Sequence, residues 1–196
     1  KERGVQPITT GRSMIRRTFD TKGVDYASEL TLANVKDLNG IISWNVLNGY
    51  DFYRLSSGLA PWKTEYDWSD LKDLEEIKQW LHSAGTKANT HGLRLTTHPG
   101  QFNVLGSPRQ KNIDQTIKDL TYHADVLDLM GMGKDSVMVI HGGGTYGDKK
   151  ETMRRWCEQY QQLPEKIKKR LVLENCEKCF SIEDCLEISQ EINIPV

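Results

Sequence analysis

The chain has 196 residues, of which 37% are hydrophobic and 27% charged, which allows one globular domain over residues 1–196 with a sizeable core. Its 26 basic and 27 acidic residues leave a formal net charge of -1, which excludes a strongly polycationic nucleic-acid-binding protein and restricts any nucleic-acid surface to a local patch. No apolar run approaches the roughly 20 residues of a membrane span and no apolar signal core follows the N-terminus, so we expect no membrane contact and an intracellular, non-secreted protein.

The first part of the chain predicts the order helix, strand, helix. Residues 1–29 carry four arginines and few periodic apolar positions, and they predict an extended segment or long loop. Its basic patch is either a solvated face or a phosphate contact. Apolar residues at helical spacing predict a helix from Leu30 to Asn48, and a strand follows from Tyr50 to Ser57. A second helix is predicted from the N-cap pair Ser69-Asp70 to about Asn89.

The rest of the chain alternates strands and helices. Three strands are predicted to deliver His98, His141 and Glu174 at their ends, and the helices predicted after them cover residues 113–130, 149–162 and 181–192. Residues 194–196 predict the start of another strand. Repeats of roughly 35 to 40 residues indicate βα units around a parallel sheet. We therefore predict an α/β fold of the TIM (β/α)8-barrel type, with the first strand and the last βα units absent from this chain.

The three strand ends predict a metal site. His98 is followed by Pro-Gly and His141 by three glycines, while Glu174 is followed by Asn175, so each candidate ligand stands where a strand passes into a loop. One buried histidine at a strand end is more often a packed core residue. Three such ends in consecutive strands favour a metal site, because a barrel brings the C-terminal ends of its strands together. Asn103 and Asn175 flank these ligands and could orient them.

Two further motifs leave alternatives open. The glycine run 142–144 could cradle a phosphate, but it lacks the lysine of a P-loop, so close approach of backbone or substrate to the metal is the favoured interpretation. Tyr146, just after it, is either a phosphate contact or a packed loop aromatic. Cys176 and Cys179 form a CxxC pair. They are either a redox pair or zinc knuckle or, as we favour, reduced thiols packed near a strand end.

Four stretches of the sequence resemble the ultraviolet-damage endonuclease family. They are Phe52-Tyr53-Arg54-Leu55-Ser56-Ser57, Thr97-His98-Pro99-Gly100-Gln101-Phe102, Val139-Ile140-His141-Gly142-Gly143-Gly144-Thr145-Tyr146-Gly147 and Leu171-Val172-Leu173-Glu174-Asn175. The resemblance covers the chain from about Thr18 onward. It implies a (β/α)8 enzyme that nicks DNA immediately 5′ of ultraviolet photolesions in excision repair. Its partner would be double-stranded DNA containing such lesions, and we expect the protein to be a monomer.

The same resemblance implies roles for the strand-end residues. His98, His141 and Glu174 look like catalytic ligands of the family's manganese cluster, in which more than one ion is bound and Glu174 bridges ions; magnesium, zinc or cobalt are alternatives. After Pro61-Trp62 the family usually has a further histidine ligand. This chain has Glu65 nearby, so either Glu65 substitutes for that histidine or the position holds no ligand.

The resemblance also implies which residues contact DNA. Gln101 and Phe102 stand where the family has a Gln-Tyr pair that probes the duplex opposite the lesion, so the aromatic wedge is kept without its hydroxyl. Arg54 is implied to contact phosphate or to orient a ligand. Asn103 and Tyr146 complete the set of residues expected to face DNA.

Departures from the family pattern keep two other functions open. The family's N-terminal strand with its lesion-probing Tyr and Asn is not evident, and several of the family's metal ligands would come after Val196. One alternative is a sugar isomerase or epimerase on the same barrel type, which also uses His and Glu at strand ends. The other is a non-catalytic metal- or DNA-binding remnant.

Overall fold

The computed structural model describes residues 8–176 and 178–196. Its elements in chain order are α1 (Arg16–Leu47), β1 (Phe52–Leu55), α2 (Leu74–Thr90), β2 (Arg94–Thr97), α3 (Gln110–Leu129), β3 (Met138–His141), α4 (Lys149–Gln162), α5 (Glu165–Lys168), β4 (Leu171–Glu174) and α6 (Ile182–Ile192). Two short 3-10 turns, Lys63–Glu65 and Trp68–Asp70, lie between β1 and α2. None of the described helices combines the length and apolarity that a membrane span requires.

The strands follow one another in the sheet in the order β1-β2-β3-β4. The end of β2 runs parallel to β3, with Thr97 beside Met138, and β3 runs parallel to β4 along its whole length. A helix lies in the sequence between each strand and the next. Parallel strands in sequential order, each joined to the next through a helix, are the building pattern of a (β/α) barrel, in agreement with the predicted fold class.

The chain divides into two compact units. The first extends to Leu95 and also contains Asp128–Met132. In it α1 packs against α2, and its fully buried side chains include Leu38, Ile42, Ile77 and Leu81. An added Cβ at Gly85 would stand 1.7 Å from the Met130 carbonyl oxygen, so the glycine allows α2 to approach that backbone.

The second unit comprises Thr96–Leu127 and Gly133–Val196. Trp156, Phe180, Leu120 and Leu127 are among its fully buried side chains. The predicted start of a further strand agrees with the structure in one respect, because the Leu173 N–H donates to the Pro195 carbonyl at 2.9 Å and so ties the C-terminal residues to β4.

The prediction of an extended segment or long loop over residues 1–29 agrees with the structure at residues 8–15, which belong to no helix or strand, and is wrong from Arg16 onward. Residues 1–7 lie outside the described chain, but α1 begins at Arg16 and includes a single non-helical residue, Gly23, with φ +66°. Only from Ala27 onward does this helix have buried positions, so its first turns carry no apolar stripe for the sequence to reveal. Two arginines of the predicted basic patch make ion pairs: Arg12 with Asp37 at 2.7 Å, and Arg16 with Asp20 at 2.8 Å.

Other element boundaries in the structure differ from the predicted boundaries by a few residues. The predicted helix start at Ser69-Asp70 is a 3-10 turn closed by Asp70, whose Oδ2 accepts the Asp67 N–H at 2.8 Å. The helix α2 itself begins four residues later at Leu74. Asp73 precedes it, and its carboxylate accepts the Ser28 hydroxyl of α1 at 2.8 Å. The short helix α5 was not predicted.

Candidate metal centre and its loops

Three side chains of types that can bind a metal ion meet at the C-terminal ends of β2, β3 and β4. His98 Nε2 lies 3.1 Å from Glu174 Oε2, and His141 Nδ1 lies 3.4 Å from the same oxygen. The two imidazole rings stand edge to face with centroids 4.9 Å apart. The three ligand atoms lie within 4.8 Å of one another, and they form a group able to hold a metal ion among the described residues. The structure thus brings together the three strand-end residues that the sequence singled out.

The hydrogen-bond partners of these three side chains are compatible with a bound cation. His98 Nδ1 lies 3.2 Å from the Pro99 carbonyl oxygen, and its Nε2 lies 3.1 Å from Glu174 Oε2. Both oxygens are acceptors, so a neutral imidazole can satisfy only one of them, and a proton on Nδ1 leaves the Nε2 lone pair available to a cation. His141 Nδ1 is buried and makes no hydrogen bond within the described chain, although Glu174 Oε2 is near, because the two groups are not aligned for one. One imidazole nitrogen from each histidine and a carboxylate oxygen thus converge. This donor set fits a divalent metal ion.

Strand register explains how the ligands converge. His141 and Glu174 are partners in the parallel ladder between β3 and β4, so their side chains leave the same face at the same height. His98 follows the last residue of β2, Thr97, which is beside Met138 at the start of β3. The end of β2 is therefore level with the start of β3, not with its end. The His98 imidazole is long enough to span this offset and reach Glu174.

The glycine run after β3 is shaped by packing. An added Cβ at Gly142 would stand 2.4 Å from the ring of Phe180, a fully buried side chain, so Gly142 makes room for that ring. Gly143 has φ +90°, and its added Cβ would approach Val104 to 3.2 Å. Tyr146 beyond the run has φ +49° and is 44% exposed. These glycines therefore allow the loop after His141 to pack closely against its neighbours.

The loop after His98 presents two side chains to solvent. Phe102 is 84% exposed, and Gln101 is exposed beside it. Asn103 is buried instead, with its amide donating to the Gly100 carbonyl at 2.9 Å and to Asp119 Oδ2 at 2.7 Å. Both donors of Asn103 are thus engaged within the protein, and its contact with DNA stays a prediction. The exposed aromatic at the loop apex is the feature that the sequence had suggested.

The remaining predicted site residues are all exposed. Asn175 directly follows Glu174 and is exposed. Glu65 and Arg54 belong to the first unit. Glu65 lies 3.4 Å from Arg16, and Arg54 is an exposed residue of β1. Their assignments, Glu65 as a ligand and Arg54 as a phosphate contact, stay predictions.

The cysteines of the CxxC pair are free thiols in the structure. The Cys176 sulfur accepts the backbone N–H groups of Cys179 at 3.4 Å and Phe180 at 3.3 Å. Burial acts to raise the pKa of Cys176, but these N–H groups outweigh it and the pKa is lowered. Within the described residues, neither cysteine belongs to a group of three potential metal ligands, so the structure gives no support for a zinc knuckle.

Sequence reasoning missed an ionisable pair on α3. His123 is 2% exposed, and its Nε2 lies 3.8 Å from Asp119 Oδ2, beyond hydrogen-bond distance. Burial lowers the pKa of His123 to about 4, although Asp119 acts in the opposite direction. A signal was available, because Thr116, Asp119 and His123 recur at helical spacing and so place polar groups on the face that packs inward.

Comparison with known proteins shows a consistent set of relatives. Residues 6–196 match the family model described as UV-endonuclease UvdE. The UV-damage endonuclease of Schizosaccharomyces pombe is 39% identical over 183 residues, which cover 91% of this chain and 30% of the relative. The UV DNA damage endonuclease of Clostridium perfringens is 34% identical over 191 residues, covering 97% of this chain and 46% of the relative. The chain therefore spans less than half the length of either relative.

The fold is shared with a solved structure. The crystal structure of SacUVDE superposes with a TM-score of 0.84 at 32% sequence identity, covering 94% of this chain and 62% of that one. This similarity, together with the parallel sheet, confirms the α/β fold of the TIM-barrel type.

Proposed function

The chain belongs to the UV-endonuclease UvdE family, and from that premise we propose that it acts as a metal-dependent DNA repair endonuclease, nicking the backbone immediately 5′ of ultraviolet photolesions. The observation that carries this proposal is the convergence of His98 Nε2 and His141 Nδ1 on one oxygen of Glu174. Phosphodiester hydrolysis by metal ions needs such nitrogen and carboxylate donors from separate segments. The relatives are UV-damage endonucleases, and they supply the substrate class of the proposal.

His98, His141 and Glu174 would hold the metal, for which we propose manganese, with magnesium, zinc or cobalt as alternatives. A bound ion supplies charge stabilisation at the phosphate and an activated water. With its proton on Nδ1, His98 would donate to the Pro99 carbonyl, which would fix the ring and leave the Nε2 lone pair directed at the metal. Glu174 would contribute a negatively charged donor, and both imidazole nitrogens lie near its Oε2. Glu65 is the proposed additional ligand.

Lesion recognition would fall to the exposed loop apex. Gln101 and Phe102 follow His98 by three and four residues, so one short segment joins a metal ligand to an exposed aromatic. A lesion weakens base stacking locally, and a weakly stacked step is the one at which an aromatic side chain enters at least cost. Arg54, Tyr146 and Asn103 are the further proposed DNA-facing residues, and Asn175 is the proposed partner that orients Glu174.

The proposed partner is double-stranded DNA carrying photolesions, and the proposed acting form is an intracellular monomer. The test combines nicking of ultraviolet-irradiated and unirradiated plasmid with a metal count by mass spectrometry, on the wild-type chain and on His141→Ala. We expect manganese-dependent nicking of the irradiated plasmid alone, with loss of both nicking and metal in the variant. Conversion of a ketose without nicking would instead favour the isomerase, and metal binding with no activity would favour the non-catalytic alternative.

A further inference from the structure

The helix α3 presents a polar stripe to the loop that follows His98. Asn112, Thr116 and Asp119 recur at intervals of four and three residues, so they share one face of the helix. Each makes a hydrogen bond to a different part of the loop: Asn112 Nδ2 donates to Ser107 Oγ at 3.1 Å, Thr116 Oγ1 accepts the Val104 N–H at 2.9 Å, and Asp119 Oδ2 accepts from Asn103 Nδ2 at 2.7 Å. The loop is thus held by polar contacts along its length.

Asn103 is the point at which this stripe reaches the loop apex. Its backbone N–H donates to the Gly100 carbonyl at 3.0 Å, and one side-chain N–H donates to the same carbonyl at 2.9 Å. Those two bonds close the turn that contains Gln101 and Phe102. The second side-chain N–H goes to Asp119, which ties the closed turn to the helix. Asn103 is only 6% exposed, so water competes little for these bonds.

Hydrophobic burial does not order the two residues inside this turn. Phe102 is 84% exposed and Gln101 is exposed, so neither contributes buried apolar area that would hold the apex in one conformation. The constraints that remain are polar: the two bonds from Asn103 to Gly100 close the turn, and the bond from Asn103 to Asp119 holds it against α3. A carboxylate acceptor makes that contact strong, because hydrogen bonds to ionised acceptors are about twice as strong as neutral ones.

We propose that Asp119 is a positioning residue which, through Asn103, fixes the turn bearing Gln101 and Phe102 and so presents the exposed aromatic in one orientation. The consequence for DNA rests on the proposed function: a pre-ordered Phe102 loses less conformational entropy when it contacts a lesion than a mobile one would. Asp119 also lies 3.8 Å from the buried His123 Nε2, but its contact with the turn runs through Asn103.

Amide hydrogen exchange, followed by NMR in the absence of DNA, tests the positioning itself. In Asp119→Ala we expect exchange at the Asn103 and Val104 N–H groups to accelerate at least tenfold, while the Met138 N–H, which bonds the Arg170 carbonyl in the sheet, exchanges as in the wild type. Asp119→Asn keeps an acceptor of the same shape, so most of the protection should return. Asp114→Ala is the matched control, because Asp114 is an exposed acid of the same helix whose carboxylate accepts from Gln110 at 2.9 Å, within the helix itself.

The outcomes separate this inference from the proposed function. Unchanged exchange at Asn103 and Val104 in Asp119→Ala would overturn the positioning role, as would equal acceleration at Met138, which would indicate general loosening. A second arm measures the ratio of affinities for irradiated and intact duplex. We expect Asp119→Ala to lower this ratio about fivefold. The double variant Asp119→Ala/Phe102→Ala should have the same ratio as Asp119→Ala alone. A wild-type ratio of one would refute the proposed function and leave the exchange result standing.

Discussion

His141 and Glu174 occupy one register position on neighbouring parallel strands, and this pairing brings His141 Nδ1 to 3.4 Å from Glu174 Oε2. The register therefore decides which side chains form the site. A slip of one residue between β3 and β4 would turn one of the two side chains to the opposite face. Their proximity is thus a property of the sheet, and the loops that follow need only leave the site accessible.

Removal of either imidazole is expected to weaken metal binding. In His98→Ala or His141→Ala, manganese occupancy measured by mass spectrometry at a fixed metal concentration should fall, because each change removes one of three converging donors. His91→Ala is the matched control, since His91 is exposed at the end of α2. Unchanged metal content in both site variants would refute the ligand assignment.

Truncation of Phe102 should affect damaged DNA more than intact DNA. Stacking of a base on an aromatic side chain contributes about 1 to 3 kcal/mol, so Phe102→Ala should weaken binding to irradiated duplex by roughly fivefold or more. The measurement is a titration of both duplexes by fluorescence anisotropy. Phe102→Tyr keeps the ring and should bind as the wild type does. An equal loss on both duplexes would make Phe102 a general contact rather than a lesion-sensing one.

Burial of His123 makes stability depend on pH. Its pKa is lowered from 6.5 to about 4 in the folded chain, chiefly by burial, so below pH 6.5 the unfolded chain binds a proton that the folded chain does not. The contribution of His123 is therefore fully present above pH 6.5 and is lost as pH falls towards 4, with a slope of at most about 1.4 kcal/mol per pH unit.

Urea unfolding at a series of pH values checks this dependence. His123→Gln should flatten the decline between pH 6.5 and 4, whereas the same change at exposed His91 should leave the decline as it is in the wild type. Identical pH profiles for wild type and His123→Gln would contradict the prediction. Carboxylates distant from His123 contribute equally to both chains and cancel in the comparison.

Gly142→Ala tests the packing of the loop after His141. The added methyl would stand 2.4 Å from the buried Phe180 ring, so we expect a loss of about 1 to 3 kcal/mol in the free energy of unfolding. Adding Phe180→Leu should recover part of this loss, because the smaller side chain can yield. Gly133→Ala meets nothing within 4 Å and serves as control. Additive losses from Gly142→Ala and Phe180→Leu in the double variant would show that the two positions do not interact.

The local pattern of the sequence determined the strand ends and the candidate ligands at them. His98, His141 and Glu174 each follow a short apolar run and precede a loop, and parallel βα units place such residues at one edge whatever the details of packing. The exposed apex at Phe102 was predictable for a related reason, since a Pro-Gly pair after a strand forces a turn whose residues cannot all be buried. These features depend on contacts between near neighbours in sequence.

Only the tertiary structure decided what holds the site in place. The Asn103–Asp119 bond joins residues 16 positions apart, and the space that Gly142 leaves is filled by Phe180 from beyond the next strand. The start of α1 was missed because its first turns bury nothing, and their ion pairs leave no apolar period. The periodicity of apolar residues indicates which face of a helix or strand is buried. A hydrogen bond or a close approach between distant segments depends instead on how whole elements pack against one another. No local sequence pattern encodes that packing.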